Sequence, residues 1–359
     1  MKKRFLSSFL AMVMAAGLLA GCGSQTAEVA EPEQTEVTAA AETSPAQEAA
    51  PAEETASAEE TQEMEAGQGP EVDLGALLDE AVPLAGAPAL STVLSPVASG
   101  TAVQQNQSAV IDYSNAKDGY VMVKWLAGGT PKLKVLVKGP SGTTYQYNLR
   151  TDGQFDTFPL SDGSGSYTVG VYQNTSGTQY ATILTAGVKA QLVDEFAPFI
   201  RPNQYVTYTA GSKTVAKAAE ICAGAPSNLD KVSKVYNYVI NNTVYDKQKA
   251  QTVKSGYLPN VDETLATGKG ICFDYAALMS AMLRSQGVPV KLVVGYTDGV
   301  YHAWINVYSE KEGWIDGKIY FDGTQWKLMD PTFASSGKQS DAIMQYIGNG
   351  DNYTAKYLY

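Results

Sequence analysis

Between about Ala89 and Val193, apolar and polar residues alternate in short runs separated by turn-formers: "GYVMVKWLAG", "KLKVLVKGPSGTTYQYNL", "GSYTVGVYQN" and "YATILTAGVKAQL". In "KLKVLVK", Leu133, Val135 and Val137 point one way and the lysines the other, the pattern of a half-buried strand. Gly139-Pro140-Ser141-Gly142 then marks a turn. Repeated strands of this kind predict an all-β sandwich of immunoglobulin-like type over residues 89–200, an architecture with no site chemistry of its own. From about Pro202 the period changes. Val215, Ala218, Ala219 and Cys222 follow the i, i+3, i+4, i+7 spacing of a buried helix face. Ser227 with Asp230 forms a capping pattern ahead of Val232, Val235, Tyr236, Val239 and Ile240. A further helix begins near Cys272, with Tyr275, Leu278, Met279 and Met282 on one face and Gly287 as its stop. Strands follow, punctuated by Asp298-Gly299, Asp316-Gly317 and Asp322-Gly323, each a hairpin signal. Helices first and antiparallel sheet after make residues 201–359 an α+β domain.

The start of the chain follows neither pattern. Residues 1–21 carry a charged tip at Lys2, Lys3 and Arg4, then an apolar run ending in small residues, as an export signal does. Leu19-Ala20-Gly21-Cys22 resembles the cleavage box of bacterial lipoproteins, which makes Cys22 the expected lipid anchor. Residues 22–88 are rich in Glu, Ala, Thr and Pro, with too little apolar surface to offset the entropy of ordering, and read as a disordered tether. This layout predicts a protein exported and lipid-anchored to the outer face of the bacterial cell membrane.

The tether changes how the charge is read. The net charge is -11, but Cys22 to Glu80 holds 16 acidic residues and no Lys or Arg, whereas the first 21 residues carry +3. The remainder, Ala81 to Tyr359, is left at +2. A nearly neutral folded part lacks the basic face that a nucleic-acid partner requires.

With Cys22 assigned as the anchor, two of the three cysteines remain for the exported fold. Their spacing leaves a disulfide open, which export would permit, while the helical pattern places Cys222 in a core. Cys272 stands apart in "GKGICFDYAALM", after a pair of glycines and at the head of a helix. There, unpaired backbone N–H groups and the helix dipole favour a thiolate. The chain's single histidine, His302, lies on the strand "VYHAWINVY". Alternation puts His302, Trp304, Asn306 and Tyr308 on one face and Tyr301, Ala303, Ile305 and Val307 on the other. Asp330 in "WKLMDPTF" ends a strand that Pro331 stops. Singly, each residue suits a structural role. As an ordered set they supply what thiol catalysis needs: a nucleophile, an imidazole to take and return its proton, and a carboxylate to orient the imidazole.

The three blocks "GKGICFDYAALMSAMLRSQGVPVKLVVGY", "YHAWINVY" and "WKLMDPTF" resemble the core of the transglutaminase-like superfamily, in the same order and with similar spacing, over about Tyr236 to Phe333. The resemblance implies a papain-like fold with Cys272 as nucleophile, His302 as base and Asp330 as its orienter. It further implies an oxyanion held by the Cys272 backbone N–H and a second donor, for which Tyr245 in "VYDK" is the counterpart; as a tyrosine it fits a core position equally well. The acidic calcium loops of animal transglutaminases have no recognisable counterpart, so neither metal nor cofactor is expected. The expected partner is a peptide or protein substrate, cell-wall peptide included, and the expected reaction is hydrolysis of peptide or amide bonds. Glutamine cross-linking and a non-catalytic scaffolding lipoprotein are the alternatives.

Overall fold

The computed structural model describes residues 93–297, 299–311, 313–315, 320–321, 326–327 and 353–359. Cys22, Asp330, the export and tether segments, and the Asp-Gly pairs at 316–317 and 322–323 lie outside them. The first part is all β. One antiparallel sheet has the order β1–β2–β3–β6, from Val103–Gln105, Ala109–Asp112, Tyr120–Trp125 and Asp156–Pro159. The other runs β5–β4–β7–β8, from Thr144–Asn148, Leu133–Lys138, Gly165–Ser176 and Gln179–Ala190. In β4, Leu133, Val135 and Val137 are buried as their alternation requires, and they meet Ile111, Val121 and Val123 of the first sheet in one core. Burying such a side chain contributes about 1.5–3 kcal/mol.

Helices α1 (Lys213–Ile221) and α2 (Asn228–Asn242) follow. The α2 start is a full capping box: the Ser227 hydroxyl accepts from the Asp230 N–H, and the Asp230 carboxylate accepts from the Ser227 N–H. Short pieces come next: β9 (Val244–Tyr245), α3 (Lys247–Thr252), α4 (Val261–Thr267) and β10 (Lys269–Gly270). Helix α5 (Cys272–Ser285) is central, with every residue from Asp274 to Ser285 buried. A helix buried all round must be covered on every side. Helices α1, α2 and α4 pack on it, as does the antiparallel sheet β13–β12–β11–β16, formed by Gly313–Ile315, Val300–Ser309, Val290–Thr297 and Tyr353–Leu358. Strands β14 (Tyr320–Phe321) and β15 (Trp326–Lys327) form a separate antiparallel pair. The whole is α+β.

Tyrosines join the two parts. Tyr145 and Tyr147 of β5 meet the Tyr359 ring at 5.7 Å, and Tyr359 meets Tyr205 at 4.5 Å. Tyr205 in turn lies 5.3 Å from Phe273, the neighbour of Cys272. At the far end of α5, the buried Arg284 donates to the carbonyls of Arg201, Val290 and Tyr359. Among the described residues no helix is long and apolar enough to cross a membrane.

Candidate active site

Cys272 is the first residue of α5, and the turn before it sets its position. Helix α4 ends on Gly268 with a φ of 60°, the left-handed conformation that glycine holds without strain. The chain then pairs β10 with β9, parallel, so that Tyr245 stands opposite Gly270, two residues ahead of Cys272. Ile271, the N-cap residue, has no polar side chain. Its N–H instead donates to the Asp274 carboxylate at 2.8 Å. The outcome is a half-buried thiol at the positive end of a 14-residue helix.

His302 is buried on β12 opposite Gly295 of β11. Its ring stacks toward Trp304, with centroids 6.2 Å apart at 20°, and lies 6.3 Å from Tyr353. Ala303, Ile305 and Val307 share the main core with α5, whereas Trp304 packs with Val293 against Tyr353 and Leu358. The imidazole therefore goes with the Trp304 side of the strand, as alternation predicts. Tyr301 goes with the α5 side. Burial, then the neighbouring Tyr357, Tyr296 and Cys272, push its phenol up to about 12. The structure thus brings Cys272 and Tyr245 to one turn, and brings the head of α5 to the start of β12, where Tyr301 and His302 are consecutive. Asp330 lies outside the described residues.

Cys222 has a different setting. It is buried in the core with α1 and α2, and burial pushes its thiol up to about 11. Both Cys222 and Cys272 are free thiols. A cavity of about 450 Å³ opens between β6 and the loop before α4, walled by Arg150, Phe155, Asn203, Gln204 and Pro259 among others. Neither Cys272 nor His302 lines it, so this hollow and the thiol are separate features.

Sequence reasoning missed three residues at the Cys272 turn. Asp274 is fully buried, pairs with the Lys249 ammonium at 2.7 Å and accepts a hydrogen bond from the Tyr257 hydroxyl. An acid at the third helical position is a legible helix-start signal. Nothing local in the sequence marks Lys249 or Tyr257 as its partners. Among the described residues no group of three or more His, Cys, Asp or Glu side chains could hold a metal ion.

Residues 215–331 match the family model of the transglutaminase-like superfamily, a span that contains Cys272, His302 and Asp330. These residues form a transglutaminase-like domain. The chain is 30% identical over 105 residues to the uncharacterized protein YebA of Bacillus subtilis, which covers 24% of this chain and 14% of that protein. It is 24% identical over 100 residues to a protein-glutamine gamma-glutamyltransferase of Pseudomonas aeruginosa, covering 24% of this chain and 13% of that one. The chain thus spans only a small part of the length of these curated relatives. Among solved structures, a candidate cysteine protease from Cytophaga hutchinsonii aligns with a TM-score of 0.35 and 15% identity, over 67% of this chain and 79% of that chain. Red sea bream transglutaminase aligns with a TM-score of 0.28 and 11% identity, over 64% and 53%. At that level of likeness no residue role is carried over to the transglutaminase-like domain.

Proposed function

We propose that the transglutaminase-like domain is a thiol enzyme that opens peptide or amide bonds through an acyl-enzyme on Cys272. One observation carries this reading: Cys272 is half-buried at the first position of α5 inside the family span, whereas Cys222 is buried and held protonated. In the reaction, the sulfur bonds to the substrate carbonyl carbon. The oxyanion faces the Cys272 backbone N–H, with Tyr245 as the second donor across the β9–β10 pairing. In the roles that the family resemblance implies, His302 takes the thiol proton and returns it to the leaving amine, and Asp330 orients the imidazole. The imidazole packs on the Trp304 side of β12, so its approach to the thiol is itself part of the proposal. Water then cleaves the thioester and restores the thiol.

The substrates on this reading are exported proteins or cell-wall peptides, reached by a chain tethered to the outer face of the membrane through lipid on Cys22. Cys22→Ala should release the protein into the soluble exported fraction. Membrane retention at high salt would place the anchor elsewhere.

The partial likeness to a protein-glutamine gamma-glutamyltransferase favours a second outcome, in which a lysine amine takes the acyl group. Water at about 55 M wins over a millimolar amine unless the amine is bound and oriented. The test supplies a panel of glutamine-containing and wall peptides with an amine probe and reads products by mass. Cleavage or deamidation is expected, abolished in Cys272→Ala, strongly reduced in His302→Ala and reduced less in Asp330→Ala. Efficient amine incorporation with little hydrolysis would make the protein a cross-linking enzyme. Absence of both products, with alanine variants matching the parent in a cellular phenotype, would leave a scaffolding lipoprotein.

A further inference from the structure

The buried carboxylate of Asp274 has no task in the reaction just described. It lies two residues from Cys272, inaccessible to solvent, and it accepts from the Ile271 N–H, the Tyr257 hydroxyl and the Lys249 ammonium. Lys249 also donates to the Tyr257 hydroxyl at 2.5 Å and lies 4.5 Å over its ring. The other end of Lys249 is tied to the same turn. Its N–H donates to the Asp246 side chain at 2.8 Å, and the Asp246 N–H donates to the Gly270 carbonyl at 2.9 Å. A closed circuit results, running Gly270, Ile271, Asp274, Lys249, Asp246 and back to Gly270. A methyl group on Gly270 would come within 2.6 Å of the Asp274 Cβ, so the turn is packed directly on the carboxylate.

Burying an ion pair is a poor way to gain stability, because desolvation consumes most of the attraction. A neutral residue could accept the Ile271 hydrogen bond as well. What a neutral residue would not need is a cation brought in from α3. We propose that Asp274 and Lys249 are positioning residues for Cys272: Asp274 fixes the peptide that leads into the thiol, and Lys249 cancels the carboxylate's charge beside it. This rests on Cys272 being the nucleophile.

The test uses the full chain and two reagents, neutral iodoacetamide and anionic iodoacetate, with the alkylation rate of Cys272 mapped by mass. In both reactions the sulfur bonds to carbon and iodide leaves. Their rate ratio therefore cancels thiol ionisation and general access, and reports local charge. Lys249→Met should lower the iodoacetate-to-iodoacetamide ratio about threefold or more, and Asp274→Asn should raise it by a similar factor. Lys249→Arg should stay within about twofold of the parent. Asp274→Ala should share the Asn ratio but lower both rates together, since it also removes the acceptor for Ile271. If Lys249→Met does not fold, the near-isosteric Asp274→Asn and the charge-retaining Lys249→Arg decide. Shifts of the same sign in Lys249→Met and Asp274→Asn, or an Asp274→Asn ratio equal to the parent's, overturn the proposal while the nucleophile stands. A parent in which Cys272 labels no faster than Cys222 overturns the nucleophile itself.

Discussion

Replacing Arg284 should cost the fold more than its modest place in a helix exit suggests. Arg284 is 1% exposed, and its guanidinium donates to main-chain carbonyls: Nε and Nη2 to Val290 at 3.0 and 2.7 Å, Nη1 to Arg201 at 2.9 Å, and Nη2 to Tyr359 at 2.6 Å. Burial lowers its pKa to about 10, so it remains a cation at neutral pH. Hydrogen bonds from a charged donor contribute about 1.5–3 kcal/mol each, and a buried acceptor left bare costs about 1–3 kcal/mol. The Tyr359 carbonyl keeps a second donor, the Leu292 N–H at 2.9 Å, which limits the damage there. Arg284→Met also relieves the cost of burying the cation, several kcal/mol. Setting the bonds lost and the carbonyls left bare against that relief, the balance is a net loss of about 3–5 kcal/mol. At about 2–4 °C per kcal/mol for a fold of this size, melting followed by near-ultraviolet circular dichroism should fall by roughly 6–20 °C. Arg284→Lys should recover less than half of that, because one ammonium cannot reproduce the planar fork. A melting point for Arg284→Met within about 2 °C of the parent would refute the reasoning.

Two further changes test the sheet and the core thiol. Gly295→Ala would drive a methyl group into the Thr354 carbonyl of β16, with the Trp304 ring at 2.9 Å and the Ala355 Cα at 3.0 Å. Overpacking of this kind costs about 1–3 kcal/mol, and hydrogen exchange at Tyr353–Leu358 should accelerate; unchanged protection would contradict the close approach. Burial raises the Cys222 thiol from 9.0 to about 11, so the folded chain holds this proton longer than the unfolded one. Its contribution to stability is whole below about pH 9 and is lost as pH rises through about 11. Urea midpoints for the parent should therefore drop more steeply than those of Cys222→Ala over that window. Parallel curves would show the thiol to be indifferent to folding.

Features spread over several helical turns or strand residues were open to pattern reading. The α5 start at Cys272, its left-handed stop at Gly287, the Ser227 capping box and the alternation of β4 and β12 are all local consequences of spacing. The elements that aim Cys272 are too short for that. Strands β9 and β10 have two residues each and α3 has six, below any reliable period. Asp274 and Lys249 escaped notice because charged residues read as solvated faces, and only the fold shows that the acid is enclosed. Only the family resemblance marks Tyr245; its pairing with Gly270 depends on two segments 25 residues apart. Asp330, two of the three Asp-Gly pairs and Asp298 of the third fall outside the described residues; Gly299 of that third pair, with a φ of 78°, leads into β12.

The contacts made by β16 and Tyr359 bear on how the protein melts. Arg284 reaches 83 residues back to Arg201 and 75 forward to Tyr359, while the Tyr359 ring is shared by Tyr145, Tyr147 and Tyr205. Detaching β16 would at once strip an acceptor from the central helix and a ring from the face of the β5 sheet. Neither region can loosen this seam without exposing the other, so heat should dismantle them in a single cooperative step. Contacts so distant along the chain also raise the contact order, which should make folding slow.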